Sequence, residues 1–199
     1  AHIGCTSFFP AKPLGGYGDG GMCFTRNGDL AAKMRSIRVH GEGTERYEHA
    51  RFGFNGRLDA FQAAVLLAKL ELFDEEVQLR NDAAKRYSEL LEPVTDSLML
   101  PKITDLYQSV WAQYSLQASD ETTRDRLRES LQSAGIPTAV YYPIPLHLQR
   151  TFSHLQYRKG DFPVSETVSK RIFSLPMHPY LKAVDQEQIC QILIGQLKS

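Results

Sequence analysis

The residue types most able to do covalent chemistry lie at the start of the chain, in Ser7-Phe8-Phe9-Pro10-Ala11-Lys12 and the Leu14-Gly15-Gly16-Tyr17-Gly18-Asp19-Gly20-Gly21 that follows. A desolvated lysine amine is neutral and nucleophilic, which is what Schiff-base formation with a carbonyl compound requires. A hydroxyl five residues earlier, at a strand end, can reach a phosphate while the amine reaches the carbon that the phosphate positions. Five glycines at positions 15–21 allow the backbone to approach itself or a ligand and to adopt positive φ. On composition alone, a hairpin loop beside a solvated lysine accounts for the segment better.

Three further segments hold candidate residues. Gly53-Phe54-Asn55-Gly56-Arg57-Leu58-Asp59, followed by Gln62-Ala63-Ala64, contains Asn55 and Arg57. Read alone, Asn55 could cap a helix, and Arg57 could lie on a solvated face. Just before it, Arg38-Val39-His40-Gly41 places a histidine that reads more readily as structural than as catalytic. In Gly135-Ile136-Pro137-Thr138-Ala139-Val140-Tyr141-Tyr142-Pro143-Ile144-Pro145-Leu146-His147, the paired tyrosines could face a ligand or pack against the core.

These groups need elements to hold them. Ile3 to Phe9 reads as the end of a strand entering a tight loop, and Met22-Cys23-Phe24-Thr25 as a short strand closed by the turn pair Asn27-Gly28. A short helix is expected over Asp29–Ser36, an irregular loop over His40–Phe54, and an amphipathic helix from near Arg57, with Leu58, Phe61, Val65 and Leu72 at helical spacing. A second helix over Asp74–Leu91 shows Val77, Ala84, Tyr87 and Leu91 on one face and stops at Pro93. Val110–Ala118 reads as a strand. Asp120 then caps a helix to about Ala134 that ends at Gly135. Thr138–Tyr142 reads as another strand, Phe162–Phe173 as a helix, and Asp185–Leu197 as a last helix capped by Asp185. The order implies an α/β layered fold, with a boundary near Pro93 separating residues 1–93 from 94–199.

Composition narrows the functional classes. Among 199 residues, 23 basic and 23 acidic side chains balance, which argues against a general grip on nucleic acid or an anionic membrane. No apolar run approaches the roughly 20 residues of a spanning helix, and the first residues lack the features of a signal peptide. Cys5, Cys23 and Cys190 form neither a disulfide framework nor a zinc site, as expected of cytoplasmic thiols. The chain opens inside what reads as a strand, as if it were the carboxy-terminal piece of something longer.

Taken in order, these segments resemble the DegT/DnrJ/EryC1/StrS family of sugar aminotransferases, of the aspartate-aminotransferase fold type I. The match rests on Ser7, Phe8, Lys12 and Gly18-Asp19-Gly20-Gly21, then Arg38-Val39-His40-Gly41 and Gly53–Asp59, then Gly135–His147. Ser174-Leu175-Pro176-Met177-His178-Pro179 resembles a family element that reads as structural. The resemblance covers nearly the whole chain. It implies the end of a large cofactor domain with interdomain helices, then a small carboxy-terminal α/β domain.

The resemblance also implies roles. Lys12 would carry pyridoxal 5'-phosphate and shuttle protons, Ser7 would bond its phosphate, and Asn55 would meet that phosphate from the neighbouring subunit of a two-fold homodimer. Arg57, Tyr141 and Tyr142 would lie near the substrate, with Tyr141 standing where many relatives have histidine. The implied reaction moves an amino group from an amino acid, glutamate by expectation, to a keto-sugar nucleotide. The wording Ser-Phe-Phe-Pro-x-Lys-Pro-Leu-Gly and Tyr-Pro-Ile-Pro-Leu-His is similar to the subgroup that aminates a UDP-linked 3-keto uronic acid for lipopolysaccharide O-antigen. Two alternatives stay open. A sugar dehydratase of the family would carry histidine in place of Lys12. A non-catalytic fragment or regulatory binding protein would keep the fold without the chemistry. Family members are about twice this length, and their preceding half holds the acidic partner of the pyridine nitrogen. The isolated chain is therefore expected not to bind the cofactor productively.

Overall fold

The computed structural model describes residues 1–104 and 106–198. The chain forms two compact units that meet between Asp74 and Glu75.

The first unit begins with an antiparallel hairpin of β1 (Gly4–Ser7) and β2 (Gly21–Phe24), in which Gly4 faces Phe24 and Ser7 faces Gly21. Helix α1 (Gly28–Arg38) follows at once. Asn27, expected in a turn with Gly28, is instead the helix N-cap, its Oδ1 accepting from Leu30 N at 3.0 Å. An asparagine in extended conformation ahead of an acidic first turn suits a cap as well as a turn. Residues 39–57 form an irregular loop tied by isolated bridges, Val39 to Asn55 and Glu42 to His49. Helix α2 (Ala60–Leu70) starts later than the periodicity suggested, because Asp59, rather than Asn55, accepts from the Phe61 N–H at 2.8 Å. Leu66 is its buried residue, while Phe61, Leu70 and Leu72 are exposed.

Helix α3 (Phe73–Leu90) carries Ala84 and Tyr87 into the core of the second unit, where Leu91 joins them. That packing explains why the compact units part ahead of the helix body and not at Pro93, which begins a 3-10 turn over Glu92–Val94. The second unit is built on an antiparallel sheet, β3 (Leu98–Met99), β4 (Tyr114–Ala118) and β5 (Ile172–Leu175), in the order β3-β4-β5. Along β4, Tyr114, Leu116 and Ala118 are buried while Ser115 and Gln117 are half-buried, the period-2 alternation of a strand with one covered face. Helix α4 (Glu121–Ser133), α5 (Pro163–Arg171) and α6 (Ala183–Lys198) complete the unit. Leu127 and Leu131 from α4 and Ile189, Cys190 and Leu193 from α6 join the β4 and β5 residues in one cluster.

Asp120 caps α4, accepting from Thr123 N at 2.8 Å, and Gly135 follows with φ of +75°, as the sequence implied. Four expectations change. The strand over Val110–Ala118 shortens to Tyr114–Ala118, because Trp111 has φ of +46° and leaves the extended region. Thr138–Tyr142 is not a strand; only Ala139 bridges, to Ser174. The helix expected through Phe173 ends at Arg171, and Ile172–Leu175 pairs with β4 as β5, burying Phe173, Ser174 and Leu175. Asp185 lies inside the first turn of α6, which begins at Ala183.

Candidate active site

Lys12 stands on the loop that joins β1 to β2, and this loop is held from within. Phe8 is buried, donates its N–H to Gly20 O at 2.8 Å and accepts from Gly16 N at 2.8 Å. Lys12 N donates to Phe9 O at 2.8 Å, and Ser7 Oγ accepts from Phe9 N at 3.2 Å, which leaves the Ser7 hydroxyl hydrogen free to point elsewhere. Helix α2 grips the same loop twice, with Gln62 Oε1 accepting from Tyr17 N at 2.7 Å and Lys69 Nζ donating to Gly15 O at 2.6 Å.

The glycines serve close approach and not positive φ. A Cβ on Gly15 would sit 2.5 Å from Pro10 O and 2.8 Å from Phe9 O, whereas the positive-φ glycines are Gly41, Gly135 and Gly160. The Lys12 side chain is exposed, and its ammonium has no hydrogen-bond or ion-pair partner among the described residues. An amine on a fixed loop and free of structural contacts is available to a ligand.

The second group of candidates is assembled by the loop after α1. His40 N donates to Phe54 O at 3.1 Å and Gly56 N to Arg38 O at 2.8 Å, which folds the segment back on itself. Gly41 makes the fold possible: it has φ of +75°, and a Cβ there would lie 1.7 Å from Arg51 O. Arg57 Nη1 then donates to Asn55 Oδ1 at 3.0 Å and lies 3.5 Å from His40 Nε2. Asn55, Arg57 and His40 are thus one exposed cluster, and the Asn55 amide nitrogen keeps its donors. His40 makes contacts through both backbone and ring: its carbonyl lies 3.1 Å from His49 Nδ1, while its ring meets Arg57.

Tyr141 and Tyr142 belong to the second unit. They are exposed at 42% and 69%, so they are not core residues, and their rings meet edge-on at 5.6 Å. With Leu146, Phe152, Ser169 and Ile172 they line a groove. His147 Nε2 lies 3.0 Å from Glu166 Oε1, which also accepts from Gly160 N at 2.8 Å. The Gly160 bond is the larger cause, ahead of His147, that holds the Glu166 carboxyl below its usual range. Ser174, within the segment read as structural, is buried in β5 and shares a 2.9 Å hydrogen bond with Ser115. Sequence reasoning did not assign Gln62 and Lys69 to the lysine loop. The polar positions on α2 were their only trace.

The first unit thus presents two separate groups of donors, an unengaged amine at Lys12 with a hydroxyl at Ser7, and the amide and guanidinium of Asn55 and Arg57, each of a kind that suits an anionic or carbonyl ligand. No helix among the described residues is long and apolar enough to cross a membrane.

The chain is similar to known proteins along nearly its whole length. The chain is 44% identical to the UDP-2-acetamido-2-deoxy-3-oxo-D-glucuronate aminotransferase of Pseudomonas aeruginosa, over 96% of this chain and 51% of that protein. It is also 44% identical to a pleiotropic regulatory protein of Geobacillus stearothermophilus, over 93% of this chain and 49% of that one. It superposes on the crystal structure of a DegT DnrJ EryC1 StrS aminotransferase from Brucella abortus with a TM-score of 0.89 at 46% identity, covering 98% of this chain and 50% of the other. NtdA of Bacillus subtilis, solved with bound cofactor PMP, superposes with a TM-score of 0.90 at 26% identity, over 100% of this chain and 46% of that one. The chain spans about half the length of the curated relatives it matches. With residues 1–194 matching the family profile, the chain belongs to the DegT/DnrJ/EryC1/StrS aminotransferase family.

Proposed function

We propose that the protein containing this chain is a pyridoxal-phosphate-dependent aminotransferase that moves an amino group from an amino acid, glutamate, to a keto-sugar nucleotide linked to UDP. The observation that carries this reading is Lys12: a free amine on a loop pinned at Phe8, Gly15 and Tyr17, with the Ser7 hydroxyl at the loop's base. The similarity to an enzyme named for a UDP-3-oxo-glucuronate substrate supports the sugar class, and the likeness to a structure with bound PMP supports the cofactor.

Pyridoxal phosphate, when bound, supplies a carbonyl carbon that captures amines and a ring that withdraws electrons. Lys12 Nζ would hold the cofactor and would take and return a proton beside the reacting carbon. Ser7 and Asn55 would hold its phosphate through donated hydrogen bonds, Asn55 from the neighbouring subunit of a homodimer. Arg57, kept in place by Asn55 Oδ1, presents its remaining donors to anionic groups of the substrate. Tyr141 and Tyr142 contact the sugar. The enzyme works in the cytoplasm and feeds lipopolysaccharide O-antigen synthesis.

The test is amination. The protein containing this chain is incubated with pyridoxal phosphate, glutamate and UDP-linked 3-keto sugars, and the amino-sugar nucleotide is detected by mass. Product in the native protein and none in Lys12→Ala supports the reading. A folded protein that aminates none of these UDP-linked keto sugars overturns it. The equal identity to a protein named for regulation favours the alternative of a non-catalytic regulatory protein in that event.

A further inference from the structure

We propose that Cys5 and Cys23 are a reversible dithiol–disulfide pair that staples the base of the hairpin carrying Lys12. The two residues lie on adjacent antiparallel strands, directly opposite one another in the β1–β2 register. Their sulfurs are 3.7 Å apart as free thiols sharing a hydrogen bond. Residues facing each other in an antiparallel pair have Cα atoms roughly 4.5–5.5 Å apart, within the ~4.4–6.8 Å that disulfides span. Closing the sulfurs to a bond of about 2.0 Å therefore asks for side-chain rotation and not for a new strand pairing. A metal offers no rival account, since no group of three His, Cys, Asp or Glu able to hold an ion exists among the described residues.

The position gives the bond a consequence. The same strand pair ends two residues on, where Ser7 faces Gly21, and the Lys12 loop springs from that end. A cross-link between Cys5 and Cys23 fixes the separation of the loop's two stems.

The chemistry needs a small-molecule disulfide such as oxidised glutathione as the oxidant. The Cys5 thiolate attacks one of its sulfurs and expels one glutathione thiolate. The Cys23 thiolate then attacks the Cys5 sulfur of the mixed disulfide and expels the second. Two protons and two electrons leave the pair, and one disulfide is reduced to two thiols.

The experiment treats the whole protein containing this chain with excess oxidised glutathione, quenches with acid and maps the peptides without reduction. The expected product is a Cys5–Cys23 linked peptide within one chain, with Cys190 unmodified, reverting to thiols with dithiothreitol. Cys23→Ser should stop at a glutathione adduct on Cys5, and Cys5→Ser should form no intramolecular link. Separate glutathione adducts on Cys5 and Cys23 in the native sequence, a link between two chains, or no reaction at either cysteine would each overturn the proposal. The native-sequence map needs no variant, so misfolding of a substituted chain does not blunt the test.

Discussion

Replacing Gly15 with alanine puts the lysine-loop geometry to its sharpest test. The added methyl carbon would sit 2.5 Å from Pro10 O and 2.8 Å from both Phe9 O and Pro10 C. A comfortable carbon–oxygen contact is roughly 3.3–3.6 Å, so about 1 Å of relief is needed. All the obstructing atoms are backbone, so no side chain can swing aside. The segment that must yield is the one held by the Lys12 N to Phe9 O and Gly16 N to Phe8 O bonds, and Gly15 O is itself tethered by Lys69. Overpacking of this kind costs roughly 1–3 kcal/mol. Because the displaced residues flank Lys12, misplacement by about 1 Å should also lower the amination rate on the order of 100-fold. Gly4→Ala is the control, since nothing lies within 4 Å of its Cβ position. Thermal melting and single-turnover amination would be measured for both variants. Gly15→Ala with native stability and native rate would refute the account of a loop packed too tightly for a side chain.

Other consequences follow from single contacts. Tyr87→Phe removes the hydroxyl that donates to Pro176 O at 3.0 Å in a fully buried setting, and urea unfolding should show a loss of about 1–2 kcal/mol. Asp120 has its pKa lowered chiefly by the Thr123 backbone N–H. Its stabilising effect is therefore complete above the ordinary carboxylate range of about 4 and is lost as pH falls through the depressed value. Asp120→Asn, which still caps, should flatten the acid limb of the stability curve while leaving neutral stability nearly unchanged. Burial pushes the Cys190 thiol up to about 12, so a maleimide should label it only after denaturant unfolds the second unit. Asn55→Ala frees Arg57 Nη1 from its 3.0 Å acceptor and, on the proposed function, removes a donor to the cofactor phosphate. The expected result is weaker cofactor retention on dialysis, with the melting temperature little changed.

The lysine loop and the bounds of α4 were legible in the residues themselves, because both depend on types at short spacing. Ser7, Lys12 and the glycines after it lie on one loop wherever that loop is placed, and Asp120 with Gly135 brackets α4 by local hydrogen bonding alone. Long-range contacts were not legible. Asn27 and Asn55 are both asparagines beside glycine, yet one caps a helix and the other pairs with Arg57, because Asp59 supplies the α2 cap instead. Ile172–Leu175 continued a helical pattern by composition and became a strand through pairing with β4, since a short apolar run takes whichever partner the sheet provides.

By itself, the sequence determined the order of the family's motifs and the bounds of α4, set by Asp120 and Gly135. The tertiary structure decided why the loop needs glycine: crowding against Pro10 and Phe9, and not backbone handedness. It also gathered His40 with Asn55 and Arg57, set Gln62 and Lys69 beneath the lysine loop, and brought Cys5 against Cys23. Local rules follow from the bonding of neighbouring peptides, whereas these contacts join residues far apart in the chain and exist only once strands have registered and helices have docked.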